Sequence, residues 1–215
     1  MVGITGVKIC SDQRGVRWLR EPAQIIRGKN MPPKEKVSRV MVLNAAFEMT
    51  RENGFENVTA RKLAERLGSS TQPIFRAYEN MDMLKEDLFY KSAEMFSDHM
   101  LSSRSKGKPV YLSMGMAYIE LALKEKYLFK LIADIEEYDT GDIHEFLQQG
   151  DCKELLEKLP KTEKLSSEKK KEIFRMVWMF THGVATLVTS NRVSMQQGEI
   201  EEMLTKAYEG FLSVM

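Results

Sequence analysis

The sequence predicts an all-α protein in which an N-terminal three-helix head is joined by a long helix to a larger helical body. The chain of 215 residues has only six prolines, and no segment alternates β-branched with polar residues as a half-buried strand would. A short helix, a tight turn and a second short helix can be recognised within residues 59–78. Apolar residues recur at helical spacing over residues 173–188 and 200–212. A hydrophobic content of 43% is enough for a sizeable core.

Residues 1–30 differ in charge from the rest of the chain. They hold six basic and two acidic residues, whereas residues 31–215 hold 26 basic and 29 acidic ones. One interpretation is a flexible basic arm that adds phosphate attraction. The other is a non-native extension, with translation starting at Met31, because "IRGKN" can be back-translated into a purine-rich stretch like a bacterial ribosome-binding site. The formal charge of +1 excludes no partner, so binding to a polyanion would need a local basic patch.

The head is predicted to span residues 31–80, and its first helix to run from about residue 32 to Asn53. Gly54 follows as the stop signal. Val40, Leu43 and Phe47 are expected to form its buried face, because they recur at helical spacing.

Thr59 is the predicted N-cap of the second helix, which Gly68 ends. The buried stripe of this helix would be Leu63, Ala64 and Leu67. The three residues from Gly68 to Ser70 suit the turn of a helix-turn-helix.

Pro73 lies where the third helix should begin. The first four N–H groups of a helix have no intrahelical partner, so a proline in the first turn removes no helical hydrogen bond. Ser70 is therefore predicted as the N-cap of a helix over residues 71–78. The core-facing residues of that helix are expected to be Ile74, Phe75 and Tyr78.

The body is predicted to span residues 81–215. Asn80 would cap a long helix over 81–103, and a polar break follows at 104–109. Further helices are expected at 110–125, 127–134 and 143–159, with a loop at 137–142. The last two helices carry the stripes Ile173, Met176, Val177, Phe180, Val184, Leu187, Val188 and Ile200, Met203, Leu204, Ala207, Tyr208, Phe211, Leu212. Two such helices from each of two chains could form a four-helix bundle, or both stripes could serve the core of one chain.

Residues 36–90 resemble the DNA-binding head of the TetR (tetracycline repressor) family of bacterial regulators. The resemblance is carried by "AAFEMTRENGFENVTARKLAERLGSSTQPIFRAYENMDML", which matches the family's Gly-Phe after the first helix, its Thr cap, its Leu-Ala helix and its Gly-x-Ser turn. "WMFTHGVATLV" (178–188) is similar to the dimer-forming penultimate helix of many members. The chain departs from the family at Phe75, where a phosphate-binding Tyr is usual, and at Met81, near the usual phosphate-binding Lys.

The resemblance implies a sequence-specific transcriptional regulator, by default a repressor that binds a near-palindromic operator in double-stranded DNA as a homodimer. The second helix of a helix-turn-helix enters the major groove with its N-terminal residues. Between residues 59 and 80, four basic side chains outnumber two acidic ones. The predicted DNA contacts are Thr59, Arg61, Lys62, Ser70, Thr71, Gln72, Arg76, Tyr78 and Lys85.

A small apolar or amphipathic ligand is expected to release the DNA by shifting the long helix. The candidate pocket residues are Met95, Met114, Met116, Tyr118, Phe129, Trp178 and Phe180. The candidate dimer residues are Val184, Leu187, Val188, Leu204, Tyr208 and Phe211. The alternative function is a helical dimeric ligand-binding or interaction protein that has lost DNA binding.

No enzyme, cofactor or metal site is predicted. The sequence contains no GxSxG, HExxH, P-loop or GxGxxG motif. His182 is expected to be a packed, hydrogen-bonded histidine. Cys10 and Cys152 stand far apart without a CxxC motif, which favours a reducing compartment. No apolar run of about 18 residues and no secretory signal is found, so a cytoplasmic location without membrane insertion is expected.

Overall fold

The structure is a computed structural model that describes residues 37–104, 107–133 and 155–215. The extension 1–30, the loop at 137–142 and most of the helix expected at 143–159 lie outside the described residues. The described residues are helical and contain no strand, which confirms the predicted fold class. They include the helices α1 Arg39–Asn53, α2 Ala60–Arg66, α3 Thr71–Ala77, α4 Met81–Ser102, α5 Val110–Lys124, α6 Lys126–Ala133, α7 Ser167–Thr189 and α8 Gln197–Ser213.

The described residues divide into two compact units, and the division falls within α4, between Tyr90 and Lys91. The first unit, residues 37–90, is built on α1 to α3 and the first part of α4. Its most deeply buried side chains belong to all four of these helices: Val42, Ala46, Leu63, Ile74, Leu84 and Leu88.

The first helix begins later and faces differently than the sequence predicts. Ser38 caps α1, its Oγ accepting from the backbone N–H of Met41 at 3.3 Å, so a start near residue 32 is wrong. Val40 is 54% exposed and does not belong to the buried face. Of the other predicted residues, Phe47 is buried and Leu43 is half-buried. The face that is buried runs through Val42, Ala45, Ala46 and Met49. Its alanines allow close helix packing, whereas the predicted face rested on the larger side chains alone.

The second unit, from residue 91 onward, is centred on α5, which packs against both α7 and α8. Gly115 lies at this crossing, where an added Cβ would stand 3.2 Å from Leu204 Cδ1. The ring of Tyr111 stacks on that of Tyr208 at 3.8 Å between centroids. The Tyr208 hydroxyl donates to the carbonyl of Pro160 at 2.7 Å. Three residues of the α8 stripe, Ile200, Leu204 and Tyr208, are therefore core of the single chain.

Within the part of the chain that the structure describes, none of the helices combines the length and the apolar character needed to cross a membrane.

Candidate nucleic-acid interface

Helices α2 and α3 form a helix-turn-helix whose ends are set by local sequence. The Thr59 hydroxyl accepts from the backbone N–H of Lys62 at 3.2 Å and so caps α2, as predicted. Gly68 has φ of +61°, a left-handed conformation that glycine adopts without strain. The backbone N–H of Ser69 then donates to the carbonyl of Ala64 at 2.9 Å and closes the turn. The chain thereby reverses within three residues and enters α3.

Helix α3 has one buried side and one exposed side. Ser70 is its N-cap by backbone conformation, but its side chain makes no capping bond, and Pro73 occupies the first turn. The buried side holds Ile74 and, at the C-cap, Tyr78. The exposed residues are Thr71, Gln72, Phe75 and Arg76.

Phe75 corrects the sequence prediction, because its side chain is 52% exposed and does not face the core. Neighbouring residues on a helix point about 100° apart. Because Ile74 occupies the centre of the buried side, Phe75 is turned outward.

Exposed positive charge flanks this surface. Arg61 and Lys62 are exposed on the first turns of α2, and Arg76 is exposed near the end of α3. Arg66 is used within the unit, where it forms a two-bond ion pair with Glu52 at 2.7 and 2.8 Å. Thr59, Ser70, Thr71 and Gln72 complete the predicted contacts that the structure leaves exposed.

Two predicted DNA contacts are less exposed than the others. Tyr78 is 2% exposed, so its side chain belongs to the core and not to a DNA-facing surface. Lys85 is half-buried on α4. Asn80 caps that helix as predicted, its Oδ1 accepting from the backbone N–H of Met83 at 2.9 Å.

Tyr78 instead takes part in a polar cluster that joins α1, α3 and α4, which we call the Asp87 cluster: Arg39, Tyr78 and Asp87. The Tyr78 hydroxyl donates to Asp87 Oδ2 at 2.7 Å, and the Arg39 guanidinium donates to the same oxygen at 2.8 and 3.0 Å. Arg39 also lies 4.3 Å above the Tyr78 ring. Burial, together with the Asp87 carboxylate, raises the pKa of the Tyr78 hydroxyl, which therefore stays a donor.

The Asp87 cluster fixes the C-terminal end of α3 against its neighbours. Arg39 Nη1 donates to the carbonyl of Ala77 at 3.4 Å, which is an orphan acceptor of the last turn of α3. Sequence reasoning missed this cluster, because Arg39 and Asp87 stand far apart in the chain and share no motif.

In the second unit, a cavity of about 40 Å³ lies among largely apolar side chains. Three predicted pocket residues line it, namely Met114, Tyr118 and Trp178. The other four do not line it: Met95 and Phe180 are half-buried, and Met116 and Phe129 are buried in the core. Sites for small molecules occupy roughly 300–1,000 Å³, so an ordinary ligand would have to displace side chains here.

His182 lies within an aromatic group beside this cavity. Its Nδ1 is hydrogen-bonded to the Tyr118 hydroxyl at 2.8 Å, and its ring stacks on Trp178 at 5.1 Å. Burial lowers the pKa of His182 and raises that of the Tyr118 hydroxyl, so both groups are neutral near pH 7. His182 is thus a packed, hydrogen-bonded histidine, as the sequence predicts. Among the described residues, no group of three or more His, Cys, Asp or Glu side chains could hold a metal ion.

Most of the predicted dimer residues are buried inside the single chain. Val184, Val188, Leu204 and Tyr208 pack in the core of the second unit, so they are not free to meet a partner. Phe211 is half-buried and packs edge-on against Phe180. Leu187 is 43% exposed and is the one predicted residue on the outside. The exposed apolar residues of these two helices are Met179, Leu187 and Met203.

No family model matches the sequence, and no curated protein gives a significant match. Among solved structures, the chain is similar to a TetR-like transcriptional regulator from Rhodococcus sp. RHA1, with a TM-score of 0.56 and 13% sequence identity. The similarity covers 86% of this chain and 99% of that chain. At this identity the likeness is one of fold. The chain therefore has the all-helical fold of a TetR-like transcriptional regulator, as its sequence resemblance predicts.

Proposed function

We propose that the chain is a sequence-specific DNA-binding transcriptional regulator that acts in the cytoplasm. The observation that carries this proposal is the exposed side of α3. The second helix of this helix-turn-helix exposes Thr71, Gln72 and Arg76. Its first helix adds exposed Arg61 and Lys62. Together these side chains can make both the base contacts and the phosphate contacts that recognition of duplex DNA needs.

Each exposed side chain has a role that follows from its chemistry. Gln72 can bind the edge of adenine with two hydrogen bonds, and the methyl group of Thr71 can contact thymine. Arg76 can reach phosphate or guanine. Arg61 and Lys62 attract backbone phosphate near the N-terminus of α2, where the helix dipole favours an anion. Base contacts would then select the sequence, and phosphate contacts would set the position.

We further propose that the regulator is a homodimer that binds a near-palindromic operator. Met179, Gly183 and Leu187 follow one another at intervals of four residues on the outside of α7, and Met203 adds an exposed apolar side chain on α8. A second copy would cover this face. Two heads would then lie about 34 Å apart, or a multiple of it, to reach successive major grooves on one side of the duplex.

Repression with release by a small apolar or amphipathic ligand completes the proposal. Methionine side chains such as Met100 and Met114 line the cavity of the second unit and can adapt to a ligand. A ligand that favours one position of α4 would act on Asp87, which lies on that helix, and through it on α3.

The alternative, a dimeric helical interaction protein without DNA binding, is favoured by Phe75 and Met81, which cannot make the phosphate contacts of the family's usual Tyr and Lys. Selection from random duplex DNA distinguishes the two proposals. The regulator enriches a near-palindrome, and the interaction protein enriches no sequence.

Two variants connect the selected sequence to the surface of α3. Gln72→Ala should cost about 1–3 kcal/mol of binding and relax the preference at one base pair of each half-site. If Arg76 binds phosphate, Arg76→Ala should weaken binding to all DNA sequences alike. It should also reduce the salt dependence of binding by the equivalent of about one phosphate contact per head. Glu79→Ala, at an exposed acid just beyond α3, is the matched control and should not weaken binding.

A further inference from the structure

Phe75 occupies the middle of the exposed side of α3. At about 100° per residue, the exposed residues follow one another around the helix in the order Thr71, Phe75, Gln72 and Arg76, over an arc of about 140°. All four are exposed, and Phe75 is 52% exposed. A large apolar ring therefore lies between the two polar side chains that the proposed function assigns to base contacts.

Phe75 is not part of the described hydrophobic core of the unit. The core beneath α3 is filled by Ile74 and Tyr78, which are 1% and 2% exposed. The ring carries no hydroxyl, so it cannot donate to a phosphate oxygen. A phenyl group on a surface that meets DNA gains free energy by contact with an apolar group of the duplex. In the major groove that group is the 5-methyl of thymine.

We propose that Phe75 is a specificity-determining residue that contacts the 5-methyl group of a thymine in each operator half-site. The inference rests on the proposed function and adds the base chemistry that α3 recognises. Gln72, next to Phe75 around the helix, is suited to adenine. Arg76, Arg61 and Lys62 supply the positive charge that holds this surface against the phosphates. The exposed arc thus selects A·T base pairs through a methyl contact beside an amide contact.

The test uses the full-length chain and the operator obtained by selection. Each thymine in turn is replaced by 2′-deoxyuridine, which removes only the 5-methyl group. Binding is measured by fluorescence anisotropy for the unmodified chain and for Phe75→Ala. One thymine in each half-site should show a loss of about fourfold in the affinity of the unmodified chain, the effect expected for one buried methyl group. Phe75→Ala should bind the thymine and uracil versions of that position equally, because the two changes are coupled.

Three variants make the result specific to the ring. Phe75→Leu keeps an apolar side chain and should keep part of the methyl dependence, and it also serves if Phe75→Ala binds too weakly. Leu123→Ala truncates another apolar side chain of similar exposure, 49%, and should leave the full dependence. Glu79→Ala changes an exposed residue outside the proposed contacts and should also leave it, and circular dichroism verifies that each variant is folded.

Two results overturn the inference while the proposed function stands. The first is specific binding in which no thymine methyl group matters. The second is a methyl dependence that Phe75→Ala retains in full at every thymine. Enrichment of no sequence at all overturns both the inference and the proposed function.

Discussion

Asp87→Ala should lower the free energy of unfolding of the first unit by more than the truncation of an ordinary surface residue of α4 would. Asp87 Oδ2 accepts three hydrogen bonds, one from the Tyr78 hydroxyl and two from the Arg39 guanidinium. Removal of the carboxylate leaves the hydroxyl of a buried tyrosine without its acceptor. It also frees Arg39, whose contact with the carbonyl of Ala77 holds the end of α3.

The size of the effect follows from the exposure of each group. A buried hydroxyl left without a partner costs about 1–3 kcal/mol. The Arg39–Asp87 ion pair adds no more than about 1 kcal/mol, because its side chains are 38% and 31% exposed and water screens them. We expect a loss of about 2–3 kcal/mol in the free energy of unfolding. For a chain of this length that lowers Tm by about 4–12 °C.

Thermal unfolding of the full chain, followed by circular dichroism, measures the loss. Amide hydrogen exchange over residues 71–90 locates it. Glu86→Ala, at an exposed acid next to Asp87, is the matched control and should change stability by less than about 0.5 kcal/mol. Tyr78→Phe should cost about 1 kcal/mol, since it removes one hydrogen bond and keeps the ion pair. Equal Tm values for Asp87→Ala and Glu86→Ala would refute the reasoning.

Three further predictions concern the second unit. Leu187→Glu should turn a dimer into a monomer in analytical ultracentrifugation, because it places a charge on the exposed apolar face. Leu123→Glu should leave the dimer intact. A Leu187→Glu variant that remains dimeric would contradict the assignment of this face to the dimer interface. Burial lowers the pKa of His182 in the folded state. The unfolded chain, whose histidine has a pKa near 6.5, therefore binds a proton more readily than the folded chain does. The free energy of unfolding should fall as the pH drops from about 7.5 to 5.5. The fall in Tm over this pH range should be smaller in His182→Gln than in the unmodified chain, and unchanged in His99→Gln. Equal falls in the two variants would argue against a buried neutral histidine at position 182. Gly115→Val should cost about 1–3 kcal/mol in thermal unfolding, because the site has no room for a branched side chain, and an unchanged Tm would show that α5 can move away.

The helix-turn-helix could be predicted from the sequence because its signals are local. Thr59 and Asn80 each cap a helix with a hydrogen bond to a residue three positions on, and Gly68 ends one through its left-handed backbone conformation. Even Pro73 fits once the orphan N–H groups of the first turn are considered. Such features depend only on neighbours in the chain, so a single sequence contains them.

The errors arose where a residue's surroundings depend on distant parts of the chain. The sequence predicts both Ile74 and Phe75 in the core, but two successive helical residues cannot both face its centre. The stripes of α7 and α8 predicted which sides of these helices are apolar. Helical spacing cannot say whether such a side meets its own chain or a second copy, and Val184 and Leu204 turned out to be intrachain core. The Asp87 cluster joins three helices and has no periodic signature at all.

The central claim is that α3 recognises a DNA sequence, and fluorescence anisotropy tests it most directly. The purified chain is titrated against labelled duplex from the intergenic region upstream of its own gene, with scrambled competitor, at two salt concentrations. The proposal predicts tight binding that resists the competitor, weakens steeply with salt and is weaker in Gln72→Ala and Arg76→Ala. If the chain binds this duplex and the selected duplex no better than scrambled DNA, the exposed side of α3 does not recognise DNA and the proposed function is wrong.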